Sequence, residues 1–234
     1  NNYAGSSTEQ LPLPEEIRYE KKINSLYSFL NVDFSKTLFL EVSGRNDWSS
    51  SLPVDNNSYF YPSISLSYIL SESFTLPSWM SFLKVRAAFA KAASDTDPFL
   101  LDFVYDTETF NNQQTASLPS IKPPSNLRPQ EANSYELGLN LGAFDDKLSL
   151  DFTYYYIESF NQILESPTPI SSGVSEIRIN NGTLENYGYE LSLNAYVHYW
   201  SDGYVNTGLN LAHNKNFVRS LGDGAEFLEI GEIW

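Results

Sequence analysis

Between residues 37 and 70 the chain reads TLFLEVSGRNDWSSSLPVDNNSYFYPSISLSYIL, two alternating stretches around a polar loop. In the first, Leu38, Leu40, Val42 and Gly44 fall on one face. Glu41, Ser43, Arg45 and Asp47 fall on the other, with Phe39 the one apolar member of that set. In the second, Ile64, Leu66, Tyr68 and Leu70 oppose Ser63, Ser65 and Ser67. Side chains on a strand alternate sides with period two, so each stretch predicts a β-strand with one apolar and one polar face.

The pattern recurs along the chain and predicts eight strands, over residues 21–33, 37–48, 59–70, 82–92, 134–144, 147–159, 185–199 and 204–219. The apolar set continues through Leu26, Leu30, Val32 and Phe34, then Leu83, Val85, Ala87 and Phe89. It runs on through Tyr135, Leu137, Leu139 and Leu141, and through Leu148, Leu150, Phe152, Tyr154 and Tyr156. Tyr189, Leu191, Leu193, Ala195 and Val197, then Val205, Thr207, Leu209 and Leu211, complete it. The connections near Ser35, Asp146 and Asp202 are short, and the one near Pro77 is intermediate. Those around Pro53, Pro119, Gly173 and Gly224 are longer. In an up-and-down meander alternate connections share an end, so the longer loops gather at one end. The expected division is a loop over 1–20, a strand-bearing segment over 21–219 with long loops at about 93–133 and 160–184, and the start of a further loop over 220–234.

Composition decides what environment suits such strands. Aromatics make up 15% of the 234 residues, too many to leave unburied in a disordered chain. No run of 18 apolar residues exists, so no transmembrane helix is expected. A transmembrane β-barrel has low average hydropathy too, because half of every strand faces a polar lumen. In a soluble sandwich the apolar face would form the core. A water-facing surface is then rich in Lys and Glu, yet the polar faces here favour Ser, Asn, Gly and Thr. The predicted strands also exceed the usual soluble length of about five to six residues. A membrane barrel accounts for both features, for the near absence of charge on the apolar face and for Tyr and Trp at strand ends. The expected fold is an all-β, transmembrane, antiparallel up-and-down β-barrel. The formal net charge of −15 argues against a nucleic-acid partner. The chain holds no cysteine, hence no disulfide or thiolate metal site of its own. Its start at Asn1, with no initiator Met or signal peptide, reads as mature or internal sequence.

Four stretches add more. GRNDWSSSLP (residues 44–53), NNSYFYPSISLSYILSE (56–72), NLRPQEANSYELGLNL (126–141) and LNLAHNKNFVRSLGDG (209–224) resemble the barrel of SusC/RagA-type TonB-dependent outer-membrane transporters of Bacteroidetes. FLKVRAAFAKAASDTDPF (82–99), LDFTYYYIESFNQIL (150–164) and INNGTLENYGYELSLN (179–194) resemble it as well. The resemblance implies a barrel of about 22 strands with a plugged lumen, of which this chain supplies about eight. It also implies uptake of large nutrients, oligosaccharides or peptides, in the outer membrane. The implied partners are a SusD-like surface lipoprotein over the extracellular mouth and the TonB complex, acting through a plug and box not seen in this stretch. On that reading this is an internal part of a longer chain, with outer-membrane lipid against its apolar face and its longer loops extracellular. The alternative is a soluble or surface-attached all-β glycan-binding module, and a third class is a membrane-embedded hydrolase.

Candidate chemistry is sparse. His198 and His213 are the two histidines, and neither lies near a nucleophile signature such as G-x-S-x-G. No phosphate loop or paired-His metal motif occurs, so no catalytic residue, metal site or cofactor is expected, and no substrate-contacting residue is legible. Asp95, Asp97, Asp102 and Asp106 offer oxygen ligands without the spacing of a calcium loop, and read as a solvated acidic loop. Phe99, Phe103, Tyr105 and Phe110 could stack on sugar rings, meet the lipoprotein, or simply pack the loop. On the polar face, Glu41, Arg45, Lys84, Arg86, Glu136, Asp151 and Glu190 are expected to pair with one another or with a plug. Asn181, in N-G-T, reads as a turn.

Overall fold

The computed structural model describes residues 19–110, 113–124, 126–200 and 203–221. Its strands in chain order are β1 (Ile23–Phe34), β2 (Leu38–Ser49), β3 (Ser58–Ile69) and β4 (Met80–Ser94), then three short ones, β5 (Asp106–Phe110), β6 (Gln113–Ser117) and β7 (Ile121–Lys122). Four long ones follow, β8 (Gln130–Ala143), β9 (Leu148–Pro167), β10 (Glu176–Trp200) and β11 (Gly203–Ser220). The eight long strands form one sheet in the order β1-β2-β3-β4-β8-β9-β10-β11, each antiparallel to its neighbour. β7 adds a two-residue parallel pairing to β10, and β5 and β6 make a separate hairpin.

The register keeps the two faces apart across the whole sheet. One row runs Val32, Leu40, Leu66, Ala87, Leu137, Tyr154, Tyr189, His213. The neighbouring row on the opposite face runs Asn31, Glu41, Ser65, Ala88, Glu136, Tyr155, Gly188, Asn214. A slip of one residue anywhere would interchange the faces. Within β1, Leu30 lies opposite Val42, so its apolar set joins the same face.

That apolar face is not a core. Leu137 is 60% exposed, Leu209 50% and Ile64 45%, and among the described residues no second sheet packs on them. Among the described residues the buried apolar side chains are Leu52, Tyr59, Leu127 and Ala143. The first three form a small cluster, joined by Tyr61, Ala93, Leu101 and Ile163, that ties the longer loops to the sheet at their own end.

Tight turns close the other end. Ser35 and Lys36 have φ of 55° and 57°, and the Lys36 N–H donates to Asp33 Oδ1 at 2.9 Å. Phe144, Asp145 and Asp146 also lie at positive φ, which Asp tolerates better than most residues.

Three expectations need revision. Residues 160–184 are largely strand, since β9 runs to Pro167 and β10 starts at Glu176, leaving a connection that includes a 3-10 turn at Ile170–Ser172. Residues 93–133 hold β5, β6 and β7 rather than loop alone, and β8 already begins at Gln130. Asn181 is no turn: it lies inside β10 at a register shift, where a Cβ on Gly182 would come 2.9 Å from Leu164 Cδ1. The shift is a bulge that glycine permits by removing that clash. The expected loops over 1–20 and 220–234 fall mainly outside the described residues, as do residues 201 and 202 in the turn before β11.

Candidate functional site

The polar face carries a network centred on Arg86 of β4. Its Nη2 donates to Asp151 Oδ1 at 2.7 Å and also to Thr153 Oγ1, and its Nη1 donates to Asn140 Oδ1 at 2.6 Å. Asn140 Nδ2 in turn donates to Asp151 Oδ2 at 2.6 Å, and Glu136 lies 4.0 Å from Arg86 Nε. The pairing explains the convergence: Arg86 faces Gly138, which faces Thr153, while Asn140 faces Asp151. A Cβ on Gly138 would come 2.3 Å from Arg86 Nε, so glycine here makes room for the guanidinium to lie over β8.

A second network sits nearer the long-loop end. Arg45 Nε donates to Asp47 Oδ1 at 2.8 Å, and its Nη2 to Ser25 Oγ at 3.0 Å. Tyr61 Oη donates to Asp47 Oδ2 at 2.7 Å, and the Arg45 guanidinium lies 5.8 Å from the Tyr61 ring centre. The pairing expected for Arg45, Arg86, Glu136 and Asp151 is therefore present, with Asp47, Asn140 and Thr153 as members that charge counting alone does not single out. Lys84 sits on the same face near Asp151. Glu41 and Glu190 have no ion pair among the described residues.

The acidic segment after β4 does not gather into one site. Asp95 is engaged by its neighbours: Lys21 Nζ donates to Oδ1 at 2.7 Å, Ser51 Oγ to Oδ2 at 3.1 Å, and Ser49 Oγ to Oδ2. Burial pushes its carboxyl up, but the Lys21 and Ser49 hydrogen bonds, the Lys21 charge and the Ser51 bond outweigh this and hold it below the usual carboxylate value. Among the described residues no three His, Asp or Glu side chains converge to hold a metal ion. The Asp106 side chain is outside the described set.

Of the loop aromatics, Phe103 and Tyr105 meet edge to face at 6.2 Å, and Phe99 rests against Tyr19 at 6.0 Å. All three keep about half of their surface exposed. The Phe110 side chain is outside the described set. The two histidines are far apart. His213 is on the apolar face with its ring 5.3 Å from that of Tyr189, whereas His198 pairs with Val205 nine positions further along β10. That is about 30 Å along the strand, too far for one site. The His198 side chain is outside the described set.

The long-loop end also has a cleft of about 470 Å³. Lys122, Pro123, Pro124, Asn126 and Arg128 form one wall, and Asn161 with Ile177 to Asn181 the other. Asn180 holds the walls together: Arg128 N–H donates to its Oδ1 at 2.8 Å, and its Nδ2 donates to Arg128 O at 2.9 Å. Sequence reasoning does not reach this site. Its only signal is two cations, Lys122 and Arg128, within a proline-rich segment of an otherwise acidic chain.

Eight long antiparallel strands in one sheet, with an exposed, mainly apolar face and a polar, charge-bearing face, have the pattern of a membrane-spanning β-barrel wall. The chain belongs to the TonB dependent receptor-like, beta-barrel family, whose model matches residues 1–227. This is a family of outer-membrane receptors and transporters rather than of enzymes. Among curated relatives, the chain is 30% identical over 215 residues to TonB-dependent receptor P26 of Formosa agariphila, covering 89% of this chain and 22% of that protein. It is 24% identical over 239 residues to TonB-dependent receptor SusC of Bacteroides thetaiotaomicron, covering 94% of this chain and 24% of SusC. The chain thus spans under a quarter of the length of these relatives. The structure of the RagAB peptide importer in its closed-closed state superposes with a TM-score of 0.83 at 23% identity, over 95% of this chain and 25% of that one. That likeness concerns the fold.

Proposed function

We propose that this chain is wall and outer-loop structure of an outer-membrane importer of large nutrients, oligosaccharides or peptides. It works with a SusD-like surface lipoprotein and draws energy from the TonB complex through a plug. The observation that carries this reading is the predominantly apolar face of eight strands, left uncovered while the opposite face holds Arg86, Asp151 and Glu136. Lipid suits the first face and a watery, plugged lumen the second. The longer loops then lie extracellularly, where Asp95 and the Leu52, Tyr59 and Leu127 cluster shape the mouth. A soluble glycan-binding module would need a second layer over Ile64, Leu137 and Leu209.

Uptake by a strain lacking the full-length gene tests the reading. Loss of accumulation of an oligosaccharide or peptide nutrient, restored by the intact gene, is the expected result. Normal accumulation of every nutrient tried would remove the importer.

A further inference from the structure

β9 loses its partner on one side before it ends. Phe160, opposite Glu131, is its last residue to pair with β8, whereas its pairing with β10 runs on to Pro167. A bend is built in where β8 stops. Asn161 has φ of 55°, a left-handed conformation that asparagine accepts more readily than most residues. Across the ladder, register shifts fall on both sides of Gly182. Bulges of this kind bend a strand pair and raise its twist.

The bend carries the strand pair inward. Ile163, just past it, packs on the cluster of Leu52, Tyr59 and Leu127. Tyr59 belongs to β3 and lies opposite Asp47, on the polar face. β4 and β8 stand between β3 and β9 in the sheet. Three strand spacings span about 14 Å. The pair therefore reaches the cluster by leaning over the ends of β4 and β8, across the polar side. Past the bend it is braced as one piece, with Arg178 of β10 ion-paired to Glu165 opposite it on β9.

The catch that holds it there is small. Arg128 N–H donates to Asn180 Oδ1 at 2.8 Å, and Asn180 Nδ2 donates to Arg128 O and to Asn161 O, each at 2.9 Å. Asn56 Nδ2 donates to Leu127 O at 3.1 Å, which fixes the receiving side to the loop before β3. One amide side chain and one isoleucine thus join the bent pair to the opposite side of the mouth.

We propose that residues 162–182 form a flap over the mouth, hinged at Asn161 and Gly182 and latched by Asn180 and Ile163, which lifts to admit the nutrient. β7, paired to β10, moves with it. This rests on the importer reading and adds a gate to it.

The test uses intact cells making the full-length protein with Ser134→Cys as its one cysteine. Ser134 lies on the polar face below the bend, in the row Ser63, Ala90, Ser134, Ile157. The probes are a small membrane-impermeant maleimide and a maleimide carrying a long polyethylene glycol chain, each scaled to its rate on a free cysteine peptide. With the latch intact the small probe is expected to label and the polymer probe to lag behind it. Asn180→Ala should speed polymer labelling about tenfold by releasing the latch. The small probe's rate should stay the same, which also shows that the variant is folded. Equal scaled rates of the two probes with the latch intact overturn the proposal, and that arm needs no latch variant. So does a polymer rate that Asn180→Ala leaves unchanged, an equal rise for both probes, or a reporter that neither probe reaches. A mouth open to the polymer in cells that accumulate nutrient normally removes the flap and leaves the importer, whereas failure to accumulate any nutrient removes the importer itself.

Discussion

Gly138 is small because Arg86 occupies the space a side chain would need. Gly138→Val should displace the guanidinium from Asp151 and Thr153 and cost about 1–3 kcal/mol of overpacking strain. The check is the temperature at which the full-length barrel loses its compact mobility on an unheated gel, which should fall for this variant. Gly138→Val in an Arg86→Ala background should restore most of the loss. At the long-loop end Asp95 plays a comparable part, joining Lys21, Ser49 and Ser51. Its folded value is depressed, so its contribution is complete above the ordinary carboxylate value of 3.8 and is lost as pH falls through the lower folded value. Protection factors of the Ser49 and Ser51 amides, which remove the intrinsic pH dependence of exchange, should therefore fall on acidification below 3.8, and in Asp95→Asn they should be low already at neutral pH. The charges of these networks were legible from alternation alone. Their meeting points were not, because period two assigns a face, whereas the register of β4 on β8 and of β8 on β9 decides which side chains on that face touch.

The strands differ in how far they extend beyond what a bilayer requires. A tilted strand crosses in roughly 9–11 residues, and β1 to β3, with 12 each, are close to that. β9 with 20 and β10 with 25 are far longer, and their extra residues continue as a paired ribbon toward the connection at Ile170–Ser172. Pairing there still satisfies backbone groups, but both faces meet water, so alternation fades. Residues 160–184 consequently read as loop. The short β5–β6 hairpin escaped for the same reason, being too brief and too polar for a periodic signal. Within the spanning part the faces respond differently to charge. Leu139→Lys places an ammonium on the apolar face at a cost of about 2–4 kcal/mol near the membrane midplane. Ser65→Lys, on the polar side opposite Glu41, should be tolerated far better in assembly. Comparing the amounts of the two full-length variants recovered folded from outer membranes checks this, and equal recovery would contradict the assigned faces.

For the whole molecule the fold was legible because eight strands obey one register. Each alternating stretch taken singly also fits a sandwich, and only their joint exposure in one layer separates the two. The cleft at Lys122 and Arg128 was not legible, since it arises where a proline-rich connection crosses back to β10 over more than fifty residues of sequence. The proposed lipid-facing role requires acyl chains to contact the apolar face while water contacts its opposite. The chain has no cysteine, so single spin labels can be placed on it without background from this segment. In the full-length protein reconstituted in bilayers, labels at Leu139→Cys and Leu191→Cys should relax strongly with oxygen and weakly with a water-soluble nickel chelate, and labels at Ser65→Cys and Asn210→Cys should show the reverse. Nickel access at Leu139 and Leu191 equal to that at Ser65 and Asn210 would contradict it.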